Sequence, residues 1–119
     1  DSYLKCLENI NPDSSNVNVR NMVKYIEEHY KENLTLETVA NASYLSTSYA
    51  SRIFKKVKKI SIMDYVTQVR MENAKRLLAN KYYKIDAIAQ EIGFVDSSYF
   101  TKVFKKYEGV TPTQYRKLI

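Results

Sequence analysis

Two short stretches of this sequence carry side chains whose types and spacing suit one chemistry. Residues 47–57 hold Ser48, Ser51, Arg52 and Lys55, and residues 97–107 hold Ser98, Thr101, Lys102 and Lys105. On a helix, steps of three and four place each set on a single stripe. The stripe is small and hydroxylated at its start and basic further on. An arginine so placed can bond guanine O6 and N7 together in a major groove, whereas Ser and Thr bond either base type with less discrimination. Lys55, Lys56, Lys105 and Lys106 are long enough to reach phosphate oxygens, which positions a protein on a duplex without specifying sequence. Thr47 and Ser97 open the two helices, where the positive amino end favours phosphate. Residues 50–59 hold five basic side chains and no acid. The plain alternative is a solvated cationic face that keeps a protein soluble. Glu108 dilutes the second stretch, so the first, with Arg52 and the denser charge, is expected to be the stronger reader.

Other chemistries find little support. His29 has no Cys or second His near it, which argues against a metal site and for a helix-surface residue. Cys6 is a lone thiol, so no internal disulfide is possible; a reducing compartment fits. Asp86 and Glu91 lie five apart and make no obvious acid–base pair. The serines lack a histidine placed as their base, which acyl transfer needs. No catalytic residue, metal ligand or cofactor is therefore assigned. Among 11 tyrosines, Tyr25, Tyr65 and Tyr115 are expected to pack at the core or its edge. Tyr82-Tyr83 could lie at the surface or over a helix, and an aromatic platform for single strands is the rival use of such residues.

The elements that must position these stripes are helical. The chain has 119 residues, a net charge of +6, 45% hydrophobic residues, and only 2 Gly and 2 Pro. Few turn formers argue against an all-β fold. No apolar run approaches the ~20 residues that span a bilayer. Val19, Met22, Val23, Ile26 and Tyr30 recur at helical spacing, predicting a helix over 19–31 capped by Asn18. Thr35 caps a helix over 36–42, and Ser46 caps one over 47–57 whose inner face is Ala50, Ile53, Phe54 and Val57. Ser61 with Asp64 has capping-box spacing and starts a long helix over about 62–79. A fifth helix carries Ile85, Ile88, Ala89 and Ile92 and ends at Gly93. Asp96 caps a sixth over 97–107, with Phe100, Val103, Phe104 and Tyr107 inward. Thr111, Pro112 and Gln114 open a short seventh.

The chain also repeats itself. SYASRIFKKVKKISIMDY (48–65) matches SYFTKVFKKYEGVTPTQY (98–115) at an offset of 50, and Leu36, Val39 and Ala40 match Ile85, Ile88 and Ala89 at an offset of 49. Each half is a short helix, a turn and a second helix ending in FKK, which is a helix-turn-helix plan used twice. The expected organisation is a linker or tail over 1–18, a first helix-turn-helix subdomain over 19–60, a linker helix over 61–80 and a second subdomain over 81–119. Two readers on one face of B-DNA must enter grooves roughly 34 Å apart. A linker helix of roughly 27 Å, plus turns, is compatible with that. A helical protein-interaction module with a basic face is the alternative function.

LTLETVA (34–40), YLSTSYASRIFKK (44–56), RMENAKRLL (70–78), KIDAIAQEIGFVDSSYFTKVFKKYEG (84–109) and TPTQYR (111–116) together resemble the DNA-binding domain of the AraC/XylS family of bacterial transcription regulators. The resemblance covers about 19–117. It implies an all-α fold of seven helices, with two homeodomain-like helix-turn-helix units joined by a long central helix. It implies binding to double-stranded promoter DNA through successive major-groove segments. By position, Ser48, Ser51, Arg52 and Lys55 resemble a first recognition face and Ser98, Thr101, Lys102 and Lys105 a second. Such members act in the cytoplasm, commonly as activators that recruit RNA polymerase. They commonly carry an upstream sensory, dimerising or receiver domain, so a longer homodimeric regulator is implied, of which this chain is the output module, monomeric by itself. YIEEHYKENLTLE is most similar to members attached to response-regulator receiver domains of two-component systems. Three positions depart from the family pattern. Lys59 stands where a Gly is usual, Ile62 where a Phe is usual, and Ser43 where the second copy has Ile92. A Lys in a left-handed conformation costs about 1 kcal/mol, and Ser43 weakens the packing of the first unit.

Overall fold

The computed structural model describes residues 14–119. Among them are seven helices and no strand: α1 (Ser14–His29), α2 (Leu36–Ala42), α3 (Thr47–Lys58), α4 (Ile62–Leu78), α5 (Ile85–Glu91), α6 (Ser97–Glu108) and α7 (Pro112–Leu118). The expected all-α fold is therefore found. The one substantial difference is at the start. Residues 14–18 are already helical, so α1 begins upstream of Asn18, which lies inside the helix and caps nothing. Ser and Asn compete with the backbone for hydrogen bonds and read as loop formers. Here they extend a helix whose Val19, Met22 and Ile26 are fully buried.

The other helix starts follow local capping, except that of α5, where Lys84 makes no side-chain cap bond. The Thr35 hydroxyl accepts from the Thr38 N–H, and the Thr38 hydroxyl accepts from the Thr35 N–H. Ser46 accepts from the Tyr49 N–H, Ser61 from the Asp64 N–H and Asp96 from the Ser98 N–H. Thr111 and Gln114 cap each other reciprocally, with Pro112 at the first helical position.

The helices fall into two compact units. The first holds the described residues up to His29 together with Leu34–Val66; the second holds Tyr30–Asn33 and Thr67–Ile119. In the first, Met22, Ile26, Val39, Ala40, Ile53, Phe54 and Ile62 are buried, and α1, α2 and α3 all pack on one another. In the second, Met71, Leu78, Ile88, Ile92, Phe100 and Phe104 form the core, which Tyr30 joins. Tyr30 continues the α1 periodicity in sequence, yet it belongs to the second unit. Tyr107, expected inward, is 42% exposed at the end of α6.

The repeat holds at the level of side-chain geometry. Phe54 meets Tyr65 edge-on with ring centroids 5.6 Å apart. Their counterparts Phe104 and Tyr115 meet edge-on, also at 5.6 Å. Such edge-to-face pairs add about 1 kcal/mol beyond area burial.

Candidate nucleic-acid interface

Each unit places its second helix with one face in the core and the opposite face outward. On α3, Ala50, Ile53 and Phe54 are buried. Ser48, Arg52, Lys55 and Lys56 are exposed, and Thr47 and Ser51 are half-buried. On α6, Phe100 and Phe104 are buried. Ser98, Lys102, Lys105 and Lys106 are exposed, and Ser97 and Thr101 are half-buried. Each candidate stripe is thus brought together on its own helix. The lysines in the last turns also complement the carbonyl ends of their helices.

The two stripes are not equivalent. The Arg52 guanidinium lies 5.3 Å from the centroid of the Tyr49 ring, one turn back on α3. A stacked guanidinium keeps its N–H edge free for hydrogen bonding. On α6 the Thr101 hydroxyl donates to the Ser97 carbonyl at 2.9 Å, so its proton is already used. The helix starts differ as well. α3 is capped by the neutral Ser46. α6 is capped by Asp96, whose carboxylate takes the Ser98 N–H at 2.7 Å. A negative charge at that amino end opposes a phosphate beside Ser97. Glu108, which dilutes the second stripe on paper, lies 3.4 Å from Lys75 of α4. Lys75 also pairs with Glu72, and these two acids hold its pKa above the usual lysine value.

Two arginines that spacing did not single out hold the frame of the second unit. Arg70 donates to the carbonyls of Tyr30 and Glu32, both at 2.9 Å. Its burial lowers its pKa, and its guanidinium stacks 5.5 Å from the Phe94 ring centroid. Arg116 of α7 donates to the carbonyls of Leu78, Asn80 and Tyr83 at 3.1, 3.2 and 2.6 Å. Gly93, at φ +103°, lets the chain pass close by: a Cβ there would lie 2.8 Å from the Tyr30 carbonyl oxygen. The reach from α7 back to the end of α4 is non-local, so no periodicity could have announced it.

Among the described residues no group of three or more His, Cys, Asp or Glu could hold a metal ion, and no helix is long and apolar enough to cross a membrane. Tyr25 stacks on His29 at 4.2 Å, half-buried on α1. Tyr82 is 84% exposed, whereas Tyr83 packs against the second core. Cys6 lies outside the described residues.

A family model for a helix-turn-helix domain matches residues 39–118, which takes in α3 and α6. The chain belongs to the helix-turn-helix domain family. This helix-turn-helix domain is 38% identical over 96 residues to the HTH-type transcriptional regulator YisR of Bacillus subtilis, covering 81% of this chain and 33% of YisR. It spans between a third and a half of the length of the curated relatives it matches. It superposes on the C-terminal domain of AraT, a response regulator from Geobacillus stearothermophilus, with a TM-score of 0.83 at 39% identity, covering 86% of this chain and 85% of that one. It also superposes on the DNA-binding domain of AdpA, a global transcriptional factor, in complex with a target DNA. There the TM-score is 0.79 at 26% identity, over 84% of this chain and 90% of that one.

Proposed function

We propose that this chain is the sequence-specific, duplex-binding output domain of a bacterial transcription regulator of the AraC/XylS type. The observation that carries the reading is the pair of stripes, Ser48–Ser51–Arg52–Lys55 on α3 and Ser98–Thr101–Lys102–Lys105 on α6, exposed except for the half-buried Ser51 and Thr101 and each backed by its own core. Arg52 reads a guanine edge, and the serines, Thr101 and Lys102 add weaker discrimination. Thr47, Lys56, Ser97 and Lys106 serve phosphates. The two helices enter successive major-groove segments. Similarity to AdpA, whose domain is solved on a target DNA, supports this use of the fold.

The rest of the regulator follows from the same reading. An upstream sensory or receiver domain supplies the signal, and similarity to the response regulator AraT favours a receiver. The full protein acts as a homodimer in the cytoplasm and recruits RNA polymerase, whereas this domain alone is monomeric.

A salt titration of binding to duplex DNA tests the proposal. Phosphate contacts release counterions, so log K should fall linearly with log salt with a slope of several units. Binding that ignores salt and sequence would instead favour a protein partner for the basic face.

A further inference from the structure

The two repeats form the same turn but not with equally suited residues. In the first, Tyr44 N–H donates to the Asn41 carbonyl and Leu45 N–H to the Ala40 carbonyl, both at 3.0 Å. In the second, the matched Gly93 and Phe94 donate to Gln90 and Ala89 at 3.1 and 2.9 Å. The two units nonetheless differ at three matched points, Ser43 against Ile92, Tyr44 against Gly93 and Lys59 against Gly109.

Ile92 closes α5 completely buried. Its counterpart Ser43 closes α2 with a buried hydroxyl that has no hydrogen-bond partner. Gly93 then takes φ +103°, whereas its counterpart Tyr44 takes φ +60°. The Tyr44 side chain is 96% exposed, so packing does not compensate the strain. Gly109 ends α6 at φ +83°, and its counterpart Lys59 ends α3 at φ +69°. A side chain in the left-handed region crowds its own carbonyl, and a buried hydroxyl without a partner loses the bonds water gave it. All three penalties fall on the first helix-turn-helix; at the matched points of the second none occurs.

We infer that the first helix-turn-helix is the compliant one: in the free protein it opens locally more readily than the second, and the bound duplex closes it. The second half of that statement rests on the DNA-binding reading above. The second unit is then a preformed reader. The first is a conditional one, and its closure draws on binding energy in the manner of folding coupled to association.

Residue-resolved amide exchange by NMR, with and without a bound duplex, tests this. The probes are matched buried positions, Val39 against Ile88 and Phe54 against Phe104. In the free protein the first-unit amides should exchange about tenfold faster or more, as local opening dictates. The combined variant S43A/Y44G/K59G, which removes all three penalties, should slow them to about the second-unit rate. Gly109→Lys should speed the end of α6, because a Cβ there meets no other atom and only the backbone conformation is penalised. Duplex should slow Val39 and Phe54 more than Ile88 and Phe104. Equal or reversed exchange rates in the free protein would overturn the inference, as would a combined variant whose first-unit rates stay unchanged. Equal protection of both units by DNA would overturn the closure. A clear asymmetry in the free protein that no duplex alters, with no salt-sensitive binding, would instead count against the DNA-binding reading.

Discussion

The Arg52 guanidinium stacks 5.3 Å from the Tyr49 ring centroid, while the matched Lys102 of α6 follows a Tyr99 that leans on Phe94 at 5.9 Å. Arg52 is therefore supported and Lys102 is not. Replacing Arg52 with Ala should cost about 1–3 kcal/mol of specific binding while sparing non-specific binding. Arg52→Lys should recover little of it, because an ammonium cannot make the paired bonds. Lys102→Ala should cost less than Arg52→Ala. Titration at fixed salt decides, and equal loss on every sequence would remove Arg52 from the role of base reader.

Gly93 and Gly109 both hold left-handed backbone but differ in their surroundings. A Cβ at Gly93 would meet the Tyr30 carbonyl at 2.8 Å, and one at Gly109 would meet nothing within 4 Å. Gly109→Ala should therefore cost about 1 kcal/mol, and Gly93→Ala clearly more. Urea unfolding of the two variants measures the order; equal costs would mean the backbone near Tyr30 yields freely.

The Ser43 hydroxyl is buried without a partner. Ser43→Ala should raise stability by about 1 kcal/mol, since it removes an unsatisfied group and leaves little space behind. A lower urea midpoint in this variant would show that the hydroxyl has found a partner in solution.

Arg116 satisfies three carbonyls at and just beyond the end of α4. Arg116→Ala should cost about 1–3 kcal/mol, as two part-buried acceptors, the Leu78 and Tyr83 carbonyls, lose their donor. Arg116→Lys should rescue it only in part, because one ammonium cannot span the three acceptors. Thermal melts of both variants check this, and full rescue by Lys would mean that charge alone matters.

The helices were legible from their apolar periodicity, and four of their starts because capping is local. Thr35, Ser46, Asp96 and Thr111 each bond an amide two or three residues on, within the reach of sequence pattern. The first helix start was not legible, because Ser14 to Asn18 carry loop-forming types that tertiary burial of the next turns overrides. Left-handed Lys59 could be anticipated from its glycine counterpart; Tyr44 could be recognised only once Gly93 showed the same turn. The stripes were legible from spacing. Spacing alone does not show the engagement of Thr101 with Ser97 or the Asp96 carboxylate seated on the Ser98 N–H, and both lower the second stripe relative to the first. Arg70 acts across 38 to 40 residues and Arg116 across 33 to 38, so only the folded chain discloses them.

In the proposed binding mode two helices of one chain read one duplex. Selection from random duplex DNA at about 150 mM salt, where long-range screening is substantial, tests it most directly. Enrichment of two short elements about one helical turn apart is the predicted result, with the element facing α3 more strongly conserved in the selected pool and lost in the pool selected by Arg52→Ala. Enrichment of no sequence, or of a single element that Arg52→Ala leaves unchanged, would contradict it.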